Sequence, residues 1–127
     1  MSIEVNFENN HKGIVMRALD TLTGNDLIEV TKHIYSLDAI GKVEYQILDL
    51  TEVDRVDVDL PTIRFLAHLD QAAATINQGM YIAVVVRSGL LEALSETWAE
   101  YSRSPFLYTK ICKNMEAARN WVSQANL

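Results

Sequence analysis

EYQILDLTEVDRVDVDLPTIRFLAHL, residues 44–69, decides how this chain is read. Tyr45 to Leu50 is an apolar run of strand length. Glu52, Asp54, Asp57 and Asp59 follow in what reads as a short acidic loop, and a helix begins after Asp59. Asp59 is a good N-cap because its carboxylate can accept from the unpaired N–H groups of the first turn. Pro61 sits in that turn, where its missing N–H costs nothing. Phe65, Leu66, Leu69, Ala72, Ala73 and Ile76 form the expected apolar arc of this helix, with Arg64, His68, Gln71 and Thr75 as a polar stripe. In α/β sheets, ligands and partners bind outside the carboxyl ends of the strands. The acidic segment is therefore the first place to look for function.

Toward the N-terminus, Ile3, Val5 and Phe7 alternate with Glu4, Asn6 and Glu8, the pattern of a half-buried edge strand. A polar turn over residues 8–13 leads to a second strand, Ile14 to Leu19, and the two predict a hairpin. Thr23 is an N-cap for a helix with Leu27, Val30, Ile34 and Leu37 inward, ended by Gly41. Toward the C-terminus, Tyr81 to Val86 is a continuous apolar run, the signature of a strand covered on both faces. Ser88 and Gly89 open a third helix, with Leu90, Leu94, Trp98 and Tyr101 on one side and Glu92, Glu96 and Glu100 on the other. Ser104 and Pro105 break it. Phe106 to Cys112 is a last strand, and Asn114 caps a terminal helix burying Met115, Ala118, Trp121 and Val122. The order is ββαβαβαβα. Strands alternating with helices predict an α/β fold with a mixed, mostly parallel five-stranded sheet and four helices.

The 127 residues read as one domain, 1–127, and an apolar fraction of 49% is enough for a core without metal or disulfide. Cys112 is the sole cysteine, so no internal disulfide can form; it reads as a small core residue in a reducing, cytoplasmic setting. No secretory signal pattern is visible at the N-terminus. The longest apolar run, Met80 to Val86, is far short of the roughly 20 residues a membrane helix needs. A net charge of −6 with dispersed basic residues argues against nucleic acid and against electrostatic docking on anionic lipid.

Three pieces carry a family resemblance: Asp49-Leu-Thr-x-Val53 with its acidic loop and helix, Ala83-Val-Val-Val86 followed by the helix containing Trp98, and the closing strand with Asn114-Met-Glu-Ala-Ala118 and Trp121. Their order and spacing resemble the small bacterial SpoIIAA-like proteins, domains of STAS and CRAL-TRIO type. The resemblance implies a SpoIIAA-like (STAS-type) fold over nearly the whole chain. It also implies two functions. Anti-sigma-factor antagonists bind a kinase-type anti-sigma factor and switch on a serine, within an Asp-Ser-Ser-Gly pattern, that opens the helix after the central strand. Here that pattern reads Asp57-Val58-Asp59-Leu60, with both serines and the glycine replaced. CRAL-TRIO domains enclose lipids or other apolar ligands and associate with membranes.

The candidate sites follow from these readings. The aromatic set on and after the third helix suggests a lid hinged at Gly89 and Ser104-Pro105 over an apolar cavity. Phe65, Leu69, Leu94, Trp98, Tyr101 and Phe106 are the candidate ligand-binding residues; the competing reading is that the rings simply fill the core. Glu52, Asp54, Asp57 and Asp59 are the candidate partner-binding residues. Asp57-x-Asp59 begins like a calcium loop, but Pro61 and Thr62 stand where a ligand and the turn glycine would be needed, so no metal site is expected. Arg64 and His68, one turn apart, read as an exposed helix face or a contact for an acidic group. No nucleophile elbow or phosphate loop is present, and no catalytic residue or cofactor is expected. The leading expectation is a non-enzymatic cytoplasmic module holding a small apolar or lipid-like ligand, touching membranes peripherally through the third helix. The alternative is a protein–protein regulatory module related to the antagonists, and a homodimer remains open.

Overall fold

The structure, a computed structural model, describes residues 2–126. Five strands form one sheet in the order β1-β2-β3-β4-β5: β1 (Ile3–Glu8), β2 (Gly13–Thr23), β3 (Tyr45–Asp57), β4 (Met80–Val85) and β5 (Leu107–Cys112). β1 and β2 pair antiparallel, and every other pair is parallel. The helices are α1 (Gly24–Tyr35), α2 (Leu60–Asn77), α3 (Leu90–Tyr101) and α4 (Met115–Val122). The expected element order and the mixed, mostly parallel α/β sheet are both observed.

Alternation along the strands divides the interior in two. Ile14, Met16, Leu50, Ile82 and Val84 pack with Leu27, Val30, Ile34, Ile63, Leu66 and Trp98 of α1, α2 and α3. On the opposite face Tyr45, Ile47, Ala83, Val85 and Cys112 pack with Ala118 and Val122 of α4. β4 is buried on both faces, which accounts for its unbroken apolar run. Gly13 permits one close approach. A Cβ there would overlap the Tyr45 ring, which crosses β2 at this point to reach Glu8 on β1.

Three caps match their sequence signals. Thr23 Oγ1 accepts from Asp26 N at 3.1 Å, Asp59 Oδ1 from Thr62 N at 2.9 Å, and Asn114 Oδ1 from Ala117 N at 2.8 Å. Other boundaries move. α1 stops at Tyr35, and Gly41 lies instead within a short 3₁₀ turn, Asp38–Lys42. The acidic segment is not a loop. β3 runs on to Asp57 because β2 also continues, to Thr23, and supplies a ladder from Leu19↔Glu52 to Thr23↔Asp57. Two register shifts interrupt that ladder, and at each β3 carries one residue more than β2. At the first, Asp49 Oδ1 accepts from both the backbone N and the hydroxyl of Thr51 at 2.9 and 2.7 Å. The bulges break the period-two alternation that would have marked residues 51–57 as strand.

Two helices are also rotated from their expected faces. α2 buries Ile63, Leu66, Ala67, Asp70, Ala73 and Ala74, while Phe65 and Ile76 face outward and Ile76 is 76% exposed. α3 buries Ser95 and Trp98, and Leu90 and Tyr101 are exposed. In both helices a polar residue takes an inward position. That residue displaces the apparent apolar arc by about one position.

Candidate functional site

A cavity of about 90 Å³ lies between the sheet and α1, α2 and α3. Leu22, Leu27, Val30, Leu50, Ile63 and Leu66 belong to its largely apolar wall. Val58, Leu91 and Leu94 also line it and are half-buried, so it reaches toward solvent at the N-terminal ends of α2 and α3. Among the described residues four polar side chains are buried: Gln46, Asp70, Ser95 and Ser102. Three of them, Gln46, Asp70 and Ser95, line this one cavity. Buried polar groups cost free energy unless satisfied, so their concentration here is the most unusual feature of the interior.

A hydrogen-bonded chain joins four elements around them. Tyr35 of α1 donates its hydroxyl to Asp70 Oδ1 at 2.5 Å, and Trp98 of α3 donates its indole N–H to Asp70 Oδ2 at 2.9 Å. Gln46 of β3 donates from Nε2 to the Tyr35 oxygen at 3.0 Å and to Met80 Sδ at 3.3 Å. Burial pushes the Asp70 carboxyl up to about 6, against the pull of the Tyr35 and Trp98 hydrogen bonds. Burial also raises the Tyr35 phenol well above its ordinary value, with the Asp70 charge adding to the effect. Tyr35 is therefore neutral and donating at any physiological pH. Sequence reasoning missed Asp70. The available signal was its place in the run Ile63-Leu66-Ala67-Asp70-Ala73-Ala74, where it stands in phase with the buried positions.

Of the six expected cavity residues, Leu94 and Trp98 line this space. Phe65, Tyr101 and Phe106 do not: their exposures are 40, 37 and 39%, and Leu69 is half-buried outside the lining. Phe65 lies under the Lys32 ammonium, 5.5 Å from its ring centroid, and Tyr101 lies under the Arg64 guanidinium at 4.9 Å. The whole-helix lid also needs correction. Besides the Trp98–Asp70 bond, Gln71 Nε2 donates to the carbonyls of Tyr101 and Arg103 at 3.1 and 2.8 Å, and Arg64 donates to the Tyr101 hydroxyl at 3.1 Å. The C-terminal half of α3 is thus tied to α2. Its N-terminal end has no side-chain cap, and Gly89 there has φ 118°.

The acidic residues occupy the carboxyl end of the sheet. Glu52, Asp54 and Asp57 are exposed on β3, and Asp59 is exposed at the α2 cap. Glu52 pairs with Arg17 at 2.8 Å. Capping hydrogen bonds from Thr62 hold Asp59 below the usual carboxylate range. Leu60 and Leu90, 51 and 63% exposed, stand at the N-terminal ends of α2 and α3. His68 is exposed one turn from Arg64, and the His11 ring lies tilted against Phe7 with centroids 5.1 Å apart. Among the described residues no group of three His, Cys, Asp or Glu side chains is placed to hold a metal ion.

A second polar cluster lies on the α4 face. Arg119 donates in bidentate fashion to Glu8, at 2.8 and 3.0 Å, and Tyr45 donates its hydroxyl to the same carboxylate. Asn9 Nδ2 donates to the Tyr45 oxygen at 2.7 Å. The Arg119 bond holds Glu8 below its ordinary value, while burial and the neighbouring Glu8 push the Tyr45 phenol up to about 12.

No protein-family model and no curated protein sequence matches the chain. Solved structures do. An uncharacterised protein of the DUF3478 family with a SpoIIAA-like fold, from Shewanella loihica PV-4, superposes with TM-score 0.62 at 17% identity over 95% of this chain and 94% of that one. The fold is SpoIIAA-like. The anti-sigma factor antagonist SpoIIAA in its unphosphorylated form superposes with TM-score 0.60 at 13% identity, over 95% of this chain and 97% of the other. At these identities the likeness concerns the fold. No described helix of this SpoIIAA-like chain is long and apolar enough to cross a membrane.

Proposed function

We propose that this chain is a non-enzymatic regulatory module that docks a protein partner through the carboxyl end of its sheet. The observation that carries the reading is the pairing of exposed Leu60 and Leu90 with the carboxylates Asp54, Asp57 and Asp59 at that end. Val58 and Leu91, next in sequence to these groups, line the same cavity, so the two leucines belong to one end of the molecule. An apolar centre with a charged rim is the common anatomy of a protein interface. The carboxylates call for a partner with basic residues around an apolar recess. The likeness to an anti-sigma factor antagonist supports this class of function. Residues 57–60 hold no hydroxyl, so docking at this place does not switch by phosphorylation there.

The experiment isolates partners on the tagged chain and then measures the purified pair. Leu60→Ser with Asp57→Asn and Asp59→Ser should weaken binding at least tenfold. Serine at 59 retains a cap, so a loss reports the surface and not the helix. Undiminished binding of every partner by the triple variant would falsify the docking site. The lipid-carrier reading finds less support: about 90 Å³ is well below the roughly 300–1,000 Å³ of pockets that enclose drug-sized ligands.

A further inference from the structure

The buried polar side chains of the cavity, Gln46, Asp70 and Ser95, present a set of acceptors, beside the half-buried hydroxyl of Thr31. Both Asp70 oxygens already receive one neutral donor each. Ser95 commits its hydroxyl hydrogen to the Leu91 carbonyl at 2.7 Å, which leaves its oxygen able only to accept. Gln46 uses Nε2 for Tyr35 and Met80, and among the described residues no protein donor reaches its Oε1. No lining residue is basic. A carboxylate held by two neutral donors in an apolar wall is an uncompensated buried charge, and an occupant that only accepts hydrogen bonds finds just the Thr31 hydroxyl to pair with.

We propose that the cavity is a binding site for a small primary amine, its ammonium group directed to Asp70, Gln46 and Ser95 and its short alkyl body held against Leu27, Leu91 and Leu94. A primary ammonium has three donors and no acceptor, the complement of this acceptor set. The alkyl part suits the remaining wall. A cavity of about 150 Å³ accommodates benzene, so about 90 Å³ limits the body to roughly three to five heavy atoms. The net charge of −6 raises the local concentration of a cation near the mouth. Asp70 is the one acid or base in the lining, and Tyr35 is the one titratable side chain bonded to it. The proposal does not rest on the docking reading, although the cavity opens at the same end of the molecule.

The probe is n-butylamine, with n-butanol and butyrate as comparison ligands, followed by methyl chemical shifts and by thermal stabilisation of the full chain. Saturable butylammonium binding is expected, with shifts concentrated on Leu27, Leu91 and Leu94. It should be at least tenfold tighter than butanol, absent for butyrate, and weaker below the Asp70 titration than above it. Asp70→Asn should cost at least tenfold in amine affinity with little effect on butanol. Gln46→Leu supplies a second reading if the asparagine variant folds poorly, with a loss of at least threefold. Leu94→Phe, which fills the space, should abolish binding of both ligands. Equal affinity for butanol and butylammonium, or unchanged amine binding in Asp70→Asn, overturns the proposal. So does binding confined to exposed carboxylates, or no saturable binding by the amine. Loss of partner binding in Leu60→Ser with amine binding retained would separate the docking surface from this site.

Discussion

Two tyrosine–carboxylate pairs sit on opposite faces of one sheet and behave in opposite ways. Tyr35 donates to Asp70 beneath the helical layer, and burial drives that carboxyl up to about 6. Tyr45 donates to Glu8 at the margin of the α4 face, and that carboxyl is lowered. The phenol is common to both, so it does not decide the outcome. The guanidinium does: Arg119 grips Glu8 through two N–H groups, whereas Asp70 has only neutral donors. A neutral hydrogen bond offsets part of a desolvation penalty, and a full opposite charge in bidentate geometry can reverse it.

The largest expected effect on this comparison comes from Trp98→Ala. It removes a buried ring and one of the two donors to Asp70, and should cost about 4 kcal/mol in denaturant unfolding. A loss below about 1 kcal/mol would mean that the cavity wall collapses freely around the missing indole. Next is the pH dependence. Asp70 titrates higher when folded than at its ordinary value of 3.8, so its contribution to stability is fully present below 3.8 and is lost as pH rises through about 6. Relative to Asp70→Asn, the parent chain should lose about 2 kcal/mol between pH 4 and pH 7. A difference that stays flat across that window would show that the two pairs are alike after all. The smallest effect is Arg119→Ala. The clamp is half-exposed, so the loss should be about 1 kcal/mol at neutral pH. Glu8 is lowered on folding, so this contribution has the opposite sign: it is present above 4.5 and fades as pH falls through the folded value. Urea titrations at several pH values would separate the two slopes.

The strands, the three capped helix starts and the parallel crossovers could be read from residue pattern because each rests on a local signal. The second half of β3 could not, because its bulges shift the alternation of Val53 and Val56 against β2. The site was obscured for a related reason. Reading by hydrophobicity assigns Phe65, Ile76, Leu90 and Tyr101 to the interior and gives no reason to place Asp70, Ser95 or Ser102 there. The protein does the reverse at each of these positions. Polar side chains were accepted inside because Tyr35, Trp98 and the helix carbonyls satisfy them, and those partners lie on other elements or depend on three-dimensional closure. Trp98 and Leu94 were found because an amphipathic count still places them near the correct face.

The sequential strand order has a consequence for biosynthesis. Each new strand is laid beside the one made just before it, so the sheet can grow in one direction while the chain leaves the ribosome, with no earlier segment held open for a later insertion. Arg119 is the exception. It reaches from α4 to Glu8 on β1, 111 residues away, so the clamp closes only after α4 has emerged. Until then Glu8 and the exposed side of Tyr45 lack their cation, and a truncated product would be marked by a tyrosine–carboxylate pair with no counter-ion.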